Sequence, residues 1–295
     1  MAKILITGGT GLVGKRLQKL LKQLNHQIVI LSRNPKKGNE FKWNITEHYI
    51  DEKAFEGITH IIHLAGAGIA DKRWTAKRKK ELMDSRVVSA NLLFSYIKKL
   101  QVPLQGFIAA SGISYYGAVT TEKTFIENDP SGNDFISEIC INWEEASNQF
   151  KTLSIPVTIL RIGIVLSAQN GALSKMNTPL FLSVLGSGKQ YMPWIHIDDL
   201  CQLFILAIEN KQFTGTYNAV APEHQTNTSF TKTLGKVIKK IVAPISVPSF
   251  VLKLILGELA CILLYGSKIS ATKTQQHYTF KHTKLSNALE DLLMK

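Results

Sequence analysis

The chain has 295 residues, of which 45% are hydrophobic and 19% charged, with a formal net charge of +13. That length and mix fit a soluble globular protein with a large core and exclude a low-complexity or fibrous chain. The basic residues are spread out, with short runs at 77–80 and 239–240 and no aromatic-interleaved patch, so the charge reads as solubility and attraction for anionic ligands rather than nucleic-acid binding.

Residues 3–14, KILITGGTGLVG, begin with an apolar, β-branched run expected to form a buried strand, followed by a glycine turn and the start of an amphipathic helix. The glycines satisfy Gly9-x-Gly11-x-x-Gly14 and Gly8-x-x-Gly11-x-x-Gly14. One glycine permits the tight turn, one lets a pyrophosphate approach the backbone, and one lets the helix pack on the strand. Apolar positions Leu12, Val13, Leu17, Leu20, Leu21 and Leu24 predict a helix over 12–24, whose free N-terminal amides point at the phosphates. A glycine turn without ligand is the alternative; the flanking strand, helix and second strand (27–31) favour the dinucleotide. At the end of that second strand, where NAD-binding folds present a carboxylate to the ribose, stand Ser32 and Arg33. A carboxylate would repel a 2′-phosphate and a guanidinium attracts it, so the expected cofactor is NADP(H). Lys36 and Lys37 either add to that field or form a solvated loop.

The chain opens on a strand, with no charged and apolar leader ahead of it, so export by that route is not expected. Cys140, Cys201 and Cys261 are odd in number and far apart, and each lies in an apolar helical context. They read as buried free thiols of a reducing compartment, and a cytoplasmic location is the expectation. No metal site is suggested.

Further strand-like runs follow at 59–64, 106–111 and 157–161, with helical segments between them. This alternation implies an α/β fold: a doubly wound parallel sheet of the Rossmann type, with a smaller C-terminal α/β substrate lobe. Ligands bind such sheets beyond the carboxyl ends of the strands. Those exits are His63 to Gly68, Ser111 to Gly117, and Arg161 to Gly163. The division expected is a nucleotide-binding domain over 1–166, to which later segments return, and a substrate lobe over 167–295. The lobe should carry a helix over 231–242, a proline-rich entry at 244–248 and a buried apolar helix over 247–265. Pro248, Lys253, Gly257 and Glu258 interrupt this last segment, and a charge at a bilayer centre costs roughly 2.5 to 3.5 kcal/mol, so membrane insertion is not expected.

In order, TGGTGLVG, HLAG, SGISYYG and WIHIDDL resemble the extended short-chain dehydrogenases/reductases, in their epimerase-like branch. With the segments at 171–176, 186–190 and 218–222 and the terminal ALEDLL, the whole chain resembles one atypical subfamily, the epimerase family proteins, whose small C-terminal domain is known as DUF1731. That domain would cover about 245–293. The resemblance implies cofactor contacts from Gly8, Thr10, Gly11, Leu12, Val13, Gly14, Ser32, Arg33, Leu64, Ala65, Gly66 and Arg161. It also leaves a homodimer open, since helices of the superfamily pair across two-fold axes.

The wider superfamily uses a Tyr-x-x-x-Lys pair, in which a nearby cation lowers a phenol whose unperturbed pKa is near 10. Here Phe135 and Ile139 stand at those positions, and neither carries a proton. Substitutes are Ser111, at the serine position of its strand exit, and Tyr116, in the YYG segment, which is equally suited to packing. His196 and Trp194 are candidates for the substrate side, with core roles as the alternative, and the same ambiguity holds for Tyr191, Trp143 and Glu144. Two functions stand: an NADP(H)-dependent oxidoreductase or epimerase-like enzyme acting on an unidentified small molecule, and a non-catalytic NADP(H)-binding sensor.

Overall fold

The β-branched opening of the chain forms the centre of the sheet. In the computed structural model, which describes residues 1–294, the first half of the chain runs β1 (Lys3–Thr7), α1 (Leu12–Gln23), β2 (Gln27–Ser32), β3 (Glu40–Asn44), β4 (Tyr49–Ile50), β5 (His60–His63), α2 (Ala76–Leu100), β6 (Gly106–Gly112), β7 (Thr124–Phe125) and α3 (Phe135–Asn148). There follow β8 (Val157–Ile162), β9 (Ile164–Leu166), α4 (Ala172–Met176), β10 (Trp194–His196), α5 (Ile197–Glu209), β11 (Gly215–Ala219) and α6 (Asn227–Val237). The chain ends with α7 (Ser249–Leu256), α8 (Cys261–Leu264), β12 (Lys268–Ile269), α9 (Thr272–Gln275) and α10 (Leu285–Leu293).

Eight strands form one sheet in the order β11-β8-β6-β5-β1-β2-β3-β4, with every pairing parallel except β3 with β4. Because side chains alternate across a strand, both faces of a parallel sheet are buried. Ile4, Ile6, Ile28 and Ile30 pack with Leu17 and Leu21 of α1 and with Leu200 and Phe204 of α5. Leu5, Val29, Leu31 and Phe107 face the other way, against Leu93 and Ile97 of α2 and against Phe150. This is the expected doubly wound Rossmann sheet. α5 and β11, which lie beyond residue 166, belong to it, so the second lobe is discontinuous in sequence.

The lobe has its own core, with Leu166, Leu173, Trp194, Phe230, Leu234, Leu285 and Leu289. Two expectations about it need correction. The helix placed at 231–242 is α6, which starts at Asn227 because Thr226 and Ser229 form a capping box. It ends early because Lys239 turns into left-handed backbone at φ +54° and the Lys240 N–H closes on the Gly235 carbonyl at 2.9 Å, a reversal so close that a Cβ at Gly235 would lie 2.9 Å from the Lys240 carbonyl oxygen. The apolar stretch 247–265 is three short pieces rather than one helix, broken where Gly257 adopts φ +62°. Cys140 and Cys201 are buried as free thiols, whereas Cys261, at the start of α8, is only partly buried. Among the described residues, no helix is long and apolar enough to cross a membrane.

Candidate functional site

The turn between β1 and α1 is built by close backbone approach. Gly8 sits at φ +67°, and a Cβ there would lie 2.8 Å from the carbonyl of Leu64. At Gly14 a Cβ would meet the Gly8 carbonyl oxygen at 2.5 Å and the Gly9 Cα at 2.6 Å, so only glycine lets α1 sit this close to the turn. Gly11 is the N-cap of α1; no side chain caps the helix, and its first turn holds no acid. The partial positive charge of the helix N-terminus is thus available to an anion.

The β5 exit is fastened to this turn. The Ala65 N–H donates to Thr7 Oγ1 at 3.1 Å. Thr7 Oγ1 also lies 2.8 Å from His63 Nδ1, and His63 Nε2 lies 3.2 Å from Ser89 Oγ. Burial pushes the His63 imidazole down to about 4, so it is neutral and serves as a brace. Thr7, His63 and Ser89 had no sequence signal as a set, because they lie on three separate elements. At the end of β2, Ser32 is partly buried, and Arg33 is exposed with no carboxylate partner among the described residues. Around the same turn and the β5 exit, Thr10 and Gly66 are exposed and Leu12, Val13 and Leu64 partly buried.

Beyond the strand ends, between the sheet and the second lobe, lies a cleft of about 1120 Å³. Ser111 and Gly112 line it from β6 and Ile113 from the turn that follows, Ile136, Ile139 and Trp143 from α3, and Met176, Leu182 and Phe230 from the lobe. Ile139 thus brings an aliphatic surface where the superfamily carries its lysine. Phe135 instead packs its ring edge-on against Trp74, at 5.3 Å between centroids.

A buried polar network lies under the Ser111 wall. Ser111 Oγ donates to Glu144 Oε1 at 2.7 Å. Arg161 holds the same carboxylate with two donors, Nε at 2.8 Å and Nη2 at 2.9 Å. Burial opposes the charge on Arg161, but the hydrogen bonds and charge of Glu144 outweigh it and raise its pKa above the ordinary guanidinium value. Arg161 Nη1 also donates to Tyr116 Oη and to the Glu127 carbonyl, each at 3.0 Å. The Tyr116 hydroxyl donates to Asn218 Oδ1 at 2.7 Å.

Four expectations change in light of this geometry. Tyr116 borders the cleft, but its hydroxyl is engaged by Asn218 and Arg161, and burial pushes its pKa up to about 12, which suits a brace better than a proton donor. Arg161 is 4% exposed and paired with Glu144, so it supports the β8 exit rather than reaching into the groove. Trp194 has no exposed surface and packs in the core of the lobe, not on the cleft wall. His196 is 1% exposed and stacks on His282 at 3.7 Å between ring centroids, with Nε2 facing Asp291 at 3.5 Å. His196, Asp199 and His282 are close enough together to suggest a metal site. However, Asp199 already accepts from the Tyr278 hydroxyl and from the Lys281 and His282 amides, and near-parallel stacked rings do not aim two nitrogen lone pairs at one ion. The cluster pins the 278–282 segment and α10 to the start of α5.

Comparison with known proteins agrees with this architecture. Residues 4–220 match the NAD dependent epimerase/dehydratase family, and residues 247–292 match the domain of unknown function DUF1731. An epimerase family protein of Staphylococcus aureus is 35% identical over the full length of both chains. The epimerase family protein SDR39U1 of Mus musculus is 34% identical over 99% of each. The crystal structure of human epimerase family protein SDR39U1 with NADPH superposes with a TM-score of 0.88 at 29% identity, covering 99% of both chains.

Proposed function

This chain belongs to the NAD dependent epimerase/dehydratase family, and we propose that it is an NADP(H)-dependent oxidoreductase or epimerase-like enzyme acting on a small-molecule carbonyl or hydroxyl compound. The observation that carries this reading is the uncapped N-terminus of α1 above a glycine turn too tight for side chains. Gly8, Thr10, Gly11, Leu12, Val13 and Gly14 hold the pyrophosphate, and Leu64, Ala65 and Gly66 flank the ribose. Ser32 and Arg33 receive the 2′-phosphate through charge-assisted hydrogen bonds. The NADPH in the human relative supports that choice over NAD. When bound, the nicotinamide supplies or takes the hydride. Ser111 keeps its proton on Glu144, so its free lone pairs accept a hydrogen bond from a substrate hydroxyl and orient it.

Phe135 and the aliphatic Ile139 favour a second reading, a protein that binds NADP(H) and reports its redox state without turnover. Calorimetric titration of cofactor-free protein with NADPH and NADH, followed by NADPH oxidation assays on a panel of carbonyl compounds, separates the two. Tight NADPH binding with turnover establishes the enzyme, and tight binding with no turnover on any carbonyl favours the sensor. Arg33→Asp should weaken NADPH at least about tenfold and leave NADH nearly unchanged, since a hydrogen bond to a charged group contributes roughly 1.5–3 kcal/mol. Equal losses for the two cofactors would remove Arg33 from the phosphate site.

A further inference from the structure

Arg86, on α2, borders the cleft while only 7% exposed. Among the described residues it pairs with no carboxylate. Its Nη1 donates to the Leu82 carbonyl at 2.9 Å and its Nη2 to the Ala67 carbonyl at 3.0 Å, both neutral acceptors. Glu144, the buried acid on this wall, is held by Arg161 and Ser111. Arg78, earlier on the same helix, adds further positive charge, and desolvation followed by that like charge pulls the Arg86 guanidinium down to about 10. Beside it lies Trp143, with the guanidinium carbon 5.0 Å from its ring centroid and a buried indole N–H that has no acceptor. Two donors therefore meet at one end of the cleft, one of them charged, without an anion. Buried charges are ordinarily paired, and where the protein supplies no partner a ligand can.

Much of the rest of the wall is apolar, with Ile69, Ile113, Ile136, Ile139, Met176 and Leu182, while Asp71, Lys175, Gln190 and Asn227 also line the cleft. A cavity of about 1120 Å³ is far larger than a two- or three-carbon acid would fill. We propose that Arg86 is the head-group site of the cleft and that the substrate is an amphipathic acid, with one carboxylate on Arg86 and a hydrocarbon body along the apolar wall. This assignment of substrate class rests on reading the cleft as the place where substrate meets the nicotinamide. The position of Arg86 also fits the sequence. Trp143, whose ring the Arg86 guanidinium faces, lies one turn beyond Ile139, so the charge missing from α3 is supplied near that helix from α2.

The test compares decanoate with 1-decanol, titrated calorimetrically into the full-length protein with and without saturating NADPH. Decanoate should bind at least about tenfold more tightly than the alcohol, the ratio expected for a hydrogen-bonded charge pair. Arg86→Gln should erase that preference, Arg86→Lys should retain part of it, and Lys175→Gln at the cleft mouth should leave it intact. Equal affinities in the wild type, no binding of either probe, or a preference that survives Arg86→Gln or disappears with Lys175→Gln would overturn the proposal. Should Arg86→Gln not fold, the wild-type head-group comparison and Arg86→Lys still decide it. NADPH binding is read separately: its loss with decanoate preference retained would refute the cofactor reading and leave the anion site standing.

Discussion

Glu144→Ala is the sharpest probe of how the site is supported. In the native chain, Arg161 and Glu144 are 4% and 8% exposed at the side chain, and two guanidinium donors grip the carboxylate at 2.8 and 2.9 Å. Removing the carboxylate leaves the Arg161 charge buried, with only the Tyr116 hydroxyl and the Glu127 carbonyl as acceptors. Breaking a buried pair from one side costs about 3–5 kcal/mol. Loss of the Ser111 hydrogen bond adds about 1 kcal/mol. Against a total stability of roughly 5–15 kcal/mol, the variant should be severely weakened in equilibrium urea unfolding. The double variant Glu144→Met, Arg161→Met should recover much of that loss, because an apolar pair of similar volume carries no desolvation penalty. A single-variant cost below about 1 kcal/mol, or a double variant no more stable than the single, would refute the picture of an uncompensated buried guanidinium.

Glycine substitutions should separate cofactor binding from folding. Gly14→Ala places a Cβ against backbone atoms of Gly8 and Gly9 that cannot move aside, so it should cost about 1–3 kcal/mol or more in unfolding assays and abolish NADPH binding. Gly11→Ala, at extended backbone with its nearest contact at 3.3 Å, should leave stability within about 0.5 kcal/mol while weakening NADPH in calorimetry; a full-strength complex would mean the pyrophosphate lies elsewhere. The buried histidines set the pH dependence. His60, His63 and His196 fall from 6.5 to about 4, each mainly through burial, so below pH 6.5 the unfolded chain takes up protons that the native chain refuses. Stability should fall as the pH drops from about 6.5 towards 4, by up to roughly 3 kcal/mol per histidine, and a flat urea midpoint between pH 7 and 5 would contradict it. Tyr116→Phe should cost about 1–3 kcal/mol in stability through the loss of its bonds to Asn218 and Arg161. Any carbonyl reductase activity should survive it within about threefold, and a hundredfold loss of turnover would restore the phenol as the proton donor.

What was legible in the sequence was local. The glycine turn, the strands at 27–32, 60–63 and 106–112, and the lone Arg33 follow from patterns a few residues long, where a short continuous apolar run or the lack of a side chain carries the information. Long-range partners were not legible. Tyr116 finds Asn218 at a separation of 102 residues, and Ser111 finds Glu144 at 33, so neither role could be read from the YYG or SGI segments alone. The placement of aromatic side chains was ambiguous for a related reason. Trp194 went to the core of the lobe and Trp143 to the cleft wall, and only the packing of β9, α6 and α10 around the former decides that. The end of α6 depended on a left-handed turn at Lys239, a residue type that does not announce one.

These placements bear on how the chain balances a hydride. In the usual pair, phenol and lysine lie on one helix, and the cation lowers the pKa of the phenol. Here that helix presents Ile136 and Ile139 to the cleft, and the nearby phenol is turned inward to Asn218. What the Ser111 wall offers instead is a serine whose proton points at Glu144 and a buried guanidinium with no acid of its own; Asp71, Lys175, Tyr191 and Tyr265 line the cleft from elsewhere. Of that pair the serine orients a substrate hydroxyl and the guanidinium holds an anionic head group; neither is poised to exchange a proton near neutral pH, nor is the Cys140 thiol, pushed up to about 12 by burial. If the chain reduces a carbonyl, the proton therefore comes from water, from the substrate or from another cleft residue such as Tyr191, rather than from Tyr116. In that case kcat should show no ionisation attributable to Tyr116, and replacing Arg86 should weaken the binding of an acidic substrate.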